Sequence, residues 1–228
     1  MARSFGGVLG NFRGKLGKVA ARIVEGDTIL AARPASFRVS YTPKVVETRQ
    51  KFAVAVALAS SILDLPTLKE IWQLNKGVKM SAFNTAARDN FNLSSTQAPT
   101  LNNIITPGGF DSPVTVAAIA AGKLTGTLSI LNTVADLTPE EVNLSINAIV
   151  SLSDPKAAGD SFYTIISLSK EVAGFNFSQA YNFEIDLSSA SITKVAKYNQ
   201  KFIYLAIATK SADDKVIQYS ESYSLISN

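Results

Sequence analysis

The segment from Gly10 to Arg22, GNFRGKLGKVAAR, carries residue types that bind phosphate, because it combines three glycines with four cations. A nucleotide-binding P-loop requires glycine, four intervening residues and then Gly-Lys-Ser/Thr. Before and after Gly17-Lys18, Phe12 stands where the first glycine belongs and Val19 where the metal-binding hydroxyl belongs. The three glycines also miss the Gly-x-Gly-x-x-Gly spacing of dinucleotide sites. The pattern therefore favours glycines with a structural role.

The 228-residue sequence contains neither histidine nor cysteine. This composition excludes Ser-His-Asp and Cys-His catalysis, disulfides, and metal sites with imidazole or thiolate ligands. Carboxylate, lysine, tyrosine and serine chemistry remains, together with cations bound by oxygen. We expect a non-enzymatic protein with no catalytic residue, no cofactor and no metal site.

Pairs of acidic residues are the remaining candidates for a glycosidase or a Ca²⁺ site. Glu140-Glu141 follows Thr138-Pro139, which is typical of a turn or a short helix start. Asp213-Asp214 lies in a predicted hairpin turn, where aspartate forms local hydrogen bonds. Asp154 and Asp160 flank another predicted loop. Each position has a structural explanation, so the sequence favours local roles over catalysis.

Charge is distributed unevenly along the chain. Residues 1–51 hold ten Lys/Arg and three Asp/Glu, a net charge of +7, whereas residues 52–228 hold twelve and fifteen, a net charge of −3. This partition suggests either a polyanionic partner or head-to-tail contact between copies. Residues 1–51 could bind a nucleic acid, because their cations would contact phosphates and Phe12, Phe37 and Tyr41 could stack on bases. The cations predicted to make the contact are Arg13, Lys15, Lys18, Arg22, Arg33 and Arg38.

The elements that would position these cations are short strands. KVAARIV and TILAARP flank Glu-Gly-Asp, which predicts a hairpin in which Gly26 supplies a positive φ. Val19, Ile23 and Ile29 are the side chains predicted to pack. A helix is then predicted from Thr42-Pro43, because a hydroxyl and a proline suit the start of a helix.

The middle of the chain is predicted to be helical. The run from Phe52 to Leu63 is long and rich in alanine, which favours a helix, although its alternation leaves a strand as the alternative. PTLKEIWQL predicts a capping box of Thr67 with Glu70 and buries Leu68, Ile71 and Trp72. A third amphipathic helix is predicted from Met80 to Phe91.

Residues 94–113 are polar and rich in Pro and Gly, which predicts a linker. Seven β-rich runs follow, and so many short strands are typical of a seven-stranded immunoglobulin/fibronectin-like antiparallel sandwich. The runs are 114–120, 124–131, 142–152, 162–168, 181–187, 202–209 and 216–225. The predicted class is α+β, mainly β. The predicted domains are an arm with helices at 1–93, the linker at 94–113 and the sandwich at 114–228.

The order of these features resembles a family of uncharacterised Bacteroidota proteins. In that family a Gly-x-x-Gly-Lys-x-Gly segment leads to an Arg-Pro step, a helix and a C-terminal β-sandwich. The order of the elements is similar over most of the chain, whereas the sequence motifs are similar only over about sixty N-terminal residues. It implies this architecture and adds no catalytic residue. The matching positions are Gly14, Lys15, Gly17, Gly26, Arg33, Pro34, Arg49 and Phe52.

These features predict a non-enzymatic structural or assembly protein, present as one copy among many, that uses its basic N-terminal arm for contact between subunits. The expected setting is a bacteriophage or phage-like particle. The alternative is a nucleic-acid-binding protein that uses the same basic segment. No secretory signal is expected, because glycines and Arg13 interrupt any apolar stretch near the N-terminus. No membrane span is expected either, since the longest apolar run, residues 52–63, is too short. The expected location is the virion or the cytoplasm.

Overall fold

A computed structural model describes residues 3–5, 11–24, 26–33, 36 and 39–227. The chain is α+β and mainly β, with antiparallel sheets. It divides into two compact units, Met1–Val45 and Val46–Asn228.

The first unit contains one antiparallel sheet, whose four strands pair in chain order. Its strands are β1 (Arg3–Phe5), β2 (Asn11–Leu16), β3 (Val19–Val24) and β4 (Asp27–Ala32). Gly26 has a φ of 87° in the turn between β3 and β4. The predicted hairpin and the role of its glycine are therefore confirmed.

Three helices follow the first sheet: α1 (Pro43–Leu63), α2 (Pro66–Leu74) and α3 (Ala82–Phe91). The apolar run at 52–63 is helical, and the strand alternative is wrong. Leu68, Ile71 and Trp72 of α2 are fully buried, as predicted.

The predicted capping box of α2 is wrong. Leu65 occupies the N-cap position without a side-chain cap, because Pro66 begins the helix with a suitable φ and no N–H to satisfy. The Thr67 hydroxyl instead lies 3.1 Å from the hydroxyl of Ser145. Glu70 accepts a hydrogen bond of 3.3 Å from the Val216 amide. Both polar side chains therefore tie the helix to the sheet rather than cap it.

The remaining strands form two sheets. A five-stranded sheet has the order β11-β10-β7-β8, with β12 also paired to β10, and a three-stranded sheet has the order β5-β6-β9. All seven predicted β runs contain strands, but the last run is divided into two. Helix α4 (Ser189–Ala196) was not predicted. The strands are β5 (Val114–Ala120), β6 (Lys123–Leu128), β7 (Asn143–Pro155), β8 (Tyr163–Val172), β9 (Tyr181–Asp186), β10 (Tyr198–Lys210), β11 (Val216–Tyr219) and β12 (Tyr223–Ser227).

The five-stranded sheet is covered on both faces. One face packs on the three-stranded sheet through residues such as Ile146 and Leu205. The other face packs on α1, α2 and α3 through Ile149 and Tyr204. The alternation in β7 predicts a half-buried strand, yet its polar positions are buried as well, and Ser145 is 0% exposed. The helices cover the face that the sequence assigns to solvent.

Residues 94–113, predicted as a linker, lie within the second unit. Ile105 is fully buried, and its carbonyl accepts a hydrogen bond of 2.9 Å from the Trp72 indole N–H. The amide of Asn103 donates to Asn90 Oδ1 over 2.9 Å. The polar residues of this segment therefore satisfy buried groups between the helices and the sheet.

Within the described part of the chain, no single helix is long and apolar enough to cross a membrane. Only α1 and α2 taken together pass a test of length and composition, and they are bent by 109° where they meet.

Candidate assembly surface

The basic sheet, strands β1 to β4, positions most of the cations that the sequence singles out. Arg13 and Lys15 belong to β2, Lys18 to the β2–β3 turn and Arg22 to β3. All four are exposed. Among the residues that the structure describes, none of them forms a salt bridge with a carboxylate.

The register of the basic sheet gathers cations on one face. Lys15 pairs with Ala20 of β3, and Arg22 lies two residues further along the same strand. Since side chains alternate between faces with a period of two, Lys15 and Arg22 share a face. This basic face presents positive charge that the described residues do not neutralise.

Arg33 and Arg38, the remaining two of the six predicted contact cations, lie beyond the four strands in the sequence. Arg33 follows β4 and is tied to the β2–β3 turn, because its backbone N–H donates to Lys18 O over 2.6 Å and its guanidinium approaches Gly17 O at 3.5 Å. Arg33 therefore fixes the turn as well as adding charge. Arg38 lies outside the described residues.

The opposite face of the basic sheet is apolar. Val19, Ala21 and Ile23 alternate along β3, and Leu30 pairs with Ala21 from β4. Ala21 is buried, but Val19 is 36%, Ile23 39% and Leu30 57% exposed. The prediction that Val19 and Ile23 pack is therefore wrong, since alternation identifies an apolar face without showing what covers it. Small sheets are stable when another layer covers such a face.

Three of the candidate carboxylates, Glu141, Asp154 and Asp160, have structural partners. The Glu141 side chain is buried, and its Oε1 accepts a hydrogen bond of 2.9 Å from the Thr138 amide. Asp160 pairs with Lys197 at 3.1 Å. Asp154 accepts a hydrogen bond of 3.0 Å from the Asn199 amide. In the described ranges, no group of three acidic side chains could hold a metal ion.

The second unit has an apolar groove that the sequence did not reveal. It lies between α1 and α3 and encloses about 680 Å³. Its walls include Phe52, Phe83 and Phe91, with Arg49 and Arg88 at the polar positions. Phe52 is 58% exposed. The helical spacing of Phe83 and Phe91 marks an apolar face, but not its exposure.

Comparisons with protein-family models and with curated proteins gave no match. The function is therefore inferred from the geometry of the molecule. Its main feature is a small sheet with one basic face and one exposed apolar face.

Proposed function

We propose that this protein is a non-enzymatic structural subunit, present as one copy among many, and that the basic sheet makes the contact between subunits. One observation carries the proposal: the apolar face of this sheet, at Val19, Ile23 and Leu30, is exposed. Burying apolar surface is the main favourable term in protein association. A second subunit would cover this face.

The ends of the basic sheet provide a second means of contact. The sheet order leaves β1 and β4 as its edge strands. Unpaired backbone groups on an edge strand can pair with a strand of another molecule. Edge pairing and burial of the apolar face would join copies without any catalytic residue.

For residues 114–228 we propose an immunoglobulin/fibronectin-like sandwich. The order β5-β6-β9 in one sheet faces β8-β7-β10 with β11 and β12 in the other. In immunoglobulin sandwiches, whose strands are named A to G in chain order, A, B and E are neighbours in that order in one sheet, while C, F and G form the opposite sheet. The present order agrees when β5, β6, β7, β9 and β10 are taken as A, B, C, E and F.

A bacteriophage or phage-like particle is the proposed setting. Small sandwiches that carry an extended arm often build shells, tails and fibres, so this step rests on analogy. The same layout is that of the Bacteroidota family which the sequence resembles. Neither argument assigns a role to an individual residue.

Mass and morphology test this function directly. The full chain and a chain lacking residues 1–40 are compared by light scattering and electron microscopy. We expect the full chain, whose monomer mass is 24.3 kDa, to form regular assemblies, and the truncated chain to stay at its own smaller monomer mass. Since residues 46–228 form their own compact unit, circular dichroism checks that this unit stays folded. A full chain that remains monomeric at high concentration rejects the proposal.

Nucleic acid binding is the second candidate, because Lys15 and Arg22 share a face and have no carboxylate partner among the described residues. Such a face would bind phosphates through counterion release. Duplex DNA and single-stranded RNA are titrated at several salt concentrations. Affinity that falls steeply with salt and disappears on removal of residues 1–40 supports this function. Binding whose affinity depends neither on salt concentration nor on residues 1–40 rejects the nucleic-acid-binding function.

A further inference from the structure

One end of the five-stranded sheet is strongly acidic. At this end β7 begins at Asn143, β8 ends at Val172, β10 ends at Lys210 and β11 begins at Val216. The connections and strand ends here carry six carboxylates and two lysines, a formal charge of −4. We name this region the acidic end. Its charged residues are Asp136, Glu140, Glu141, Glu171, Lys210, Asp213, Asp214 and Lys215.

Hydrogen bonds hold the loops of the acidic end together. The Gln218 side-chain amide donates to Asp136 O over 2.6 Å and to Glu141 Oε1 over 3.0 Å. The Val142 amide donates to Lys210 O over 3.0 Å. The segment before β7 and the β10–β11 turn are therefore neighbours, and their carboxylates form one surface.

The cations at the acidic end do not neutralise this surface. Lys210 is buried with its side chain only 5% exposed, and it pairs with Glu171 at 3.2 Å and Asp214 at 3.1 Å. Glu140 and Asp213 are exposed and form no ion pair within the described residues. Several carboxylates thus remain available to an external cation.

Glu141 adds a second observation at the same place. Its side chain is 5% exposed, and Oε2 is buried with no hydrogen-bond partner among the described residues. A buried carboxylate oxygen that lacks a partner is costly, and a nearby positive charge reduces that cost. Positive charge brought to the acidic end would lower the cost of burying this carboxylate.

We infer that the acidic end receives the basic sheet of a second copy of this chain. This inference rests on the proposed assembly function and names the surface that the basic sheet contacts. The same polypeptide carries both surfaces, with a formal charge of +3 on residues 3–32, which hold the basic sheet, and −4 at the acidic end. Charge complementarity of this kind steers association and sets the register of the partners. A polyanion such as DNA fits the basic sheet but is repelled by the acidic end.

Contact between two different surfaces has a geometric consequence. When the basic sheet of one copy binds the acidic end of the next, the pair keeps one free acidic end and one free basic sheet. Two copies that exchange their basic sheets form a closed two-fold dimer, and copies that do not exchange them form larger rings or open filaments. The expected product is therefore a dimer, a larger ring or a filament.

Two charge-reversed full-length variants test the contact. The sheet variant carries Lys15→Glu and Arg22→Glu, and the end variant carries Glu140→Lys and Asp213→Lys. The end variant changes the acidic end from −4 to 0, and the sheet variant changes residues 3–32 from +3 to −1. Each variant alone therefore loses the attraction between its two surfaces and should stay monomeric. In an equimolar mixture the substituted glutamates meet the substituted lysines and the native sheet meets the native acidic end, so the light-scattering mass should return to the wild-type value. Circular dichroism and thermal unfolding establish that each variant is folded.

A matched control reverses two charges at the opposite end of the sheet, with Asp154→Lys and Asp160→Lys. This control should assemble like the wild type. If the wild type itself is monomeric, the assembly function fails and the inference fails with it. If the wild type assembles and the end variant does so equally well, or if mixing restores nothing, the inference fails while the assembly function stands. Loss of DNA binding in the sheet variant, with normal assembly of the end variant, would identify nucleic acid as the partner.

Discussion

The phenolic O–H of Tyr204 donates a hydrogen bond of 2.6 Å to the carbonyl oxygen of Thr100. Tyr204 lies in the middle of β10, and Thr100 belongs to the polar segment at 94–113. The bond joins the helix-facing side of the five-stranded sheet to a segment that composition alone predicts to be a linker. Burial raises the pKa of the Tyr204 phenol above its usual value of 10.0.

Replacement of this tyrosine tests the bond. Tyr204→Phe should lower the free energy of unfolding by about 1 to 2 kcal/mol, because the Thr100 carbonyl loses its partner. Urea denaturation measures the change. Tyr219→Phe is the control, since the Tyr219 hydroxyl makes no hydrogen bond in the described part of the chain. Equal stability of both variants would show that the bond contributes nothing.

The same tyrosine predicts a pH dependence. The folded protein keeps the Tyr204 phenol protonated at a pH where the unfolded chain ionises it, because its pKa is raised by burial. The contribution of the protonated Tyr204 phenol to the free energy of unfolding is therefore complete below about pH 10, and it declines as the pH rises further. Stability of the wild type should fall more steeply above this pH than that of Tyr204→Phe. Parallel curves would contradict the assignment.

Replacing Lys210, whose ammonium is buried, should lower the free energy of unfolding more than replacing a lysine of an exposed ion pair. Lys210→Met should lower the unfolding free energy by about 1 to 2 kcal/mol, because it leaves Glu171 and Asp214 close together without their cation. The exposed carboxylates reduce the loss expected for a fully buried pair. Lys197→Met is the control, and it should cost no more than about 0.5 kcal/mol since its side chain is 52% exposed. Equal losses would contradict this difference.

Close packing in the three-stranded sheet predicts that Gly126 cannot be enlarged freely. Gly126 pairs with Phe183 across β6 and β9, and a Cβ at Gly126 would lie 2.5 Å from Phe183 Cζ. Gly126→Ala should destabilise the protein by about 1 to 3 kcal/mol. Phe183→Leu removes the ring, so the two changes together should cost less than their sum. Strict additivity in denaturant unfolding would rule out the contact.

The turn of the basic sheet predicts that assembly needs a folded hairpin and not only positive charge. Gly26→Val leaves the charge unchanged but places a β-branched residue at a φ of 87°. We expect light scattering to detect loss of assembly. Ala31→Val adds the same side chain at an exposed strand position and should assemble normally. If Gly26→Val assembles as the wild type does, the hairpin is not required.

Local chemistry explains which elements the sequence predicts. The turns at Gly26 and Asp214 have positive φ values, and both hairpins follow from the residue types. Helix α4 was missed because Ser and Thr occupy much of it, although Ser188 caps it by accepting a hydrogen bond of 3.1 Å from the Ser191 amide. The last β run is divided because Ser220 bonds to Ile207 and pairs with Phe110 instead of extending the strand.

Tertiary context decides what the sequence does not predict. Thr67 and Glu70 have the spacing of a cap, but contacts with Ser145 and Val216 take their polar groups. Val19 and Ile23 have the alternation of a packed face, but nothing in a sequence pattern specifies a covering layer. The basic segment is predicted from composition because its cations are close together in the sequence. The acidic end is not predicted, because its carboxylates come from loops that are distant in the sequence and adjacent only in the fold.

The helices pack against strands that are synthesised much later. Leu68 and Trp72 lie in the same buried cluster as Tyr204 and Ala206, which follow them by more than half of the chain. As the ribosome extends the polypeptide, α1 to α3 therefore emerge before β10, their packing surface. Until then their apolar faces remain available to chaperones or to other nascent chains. Productive folding of residues 46–228 thus requires that β10 has been synthesised.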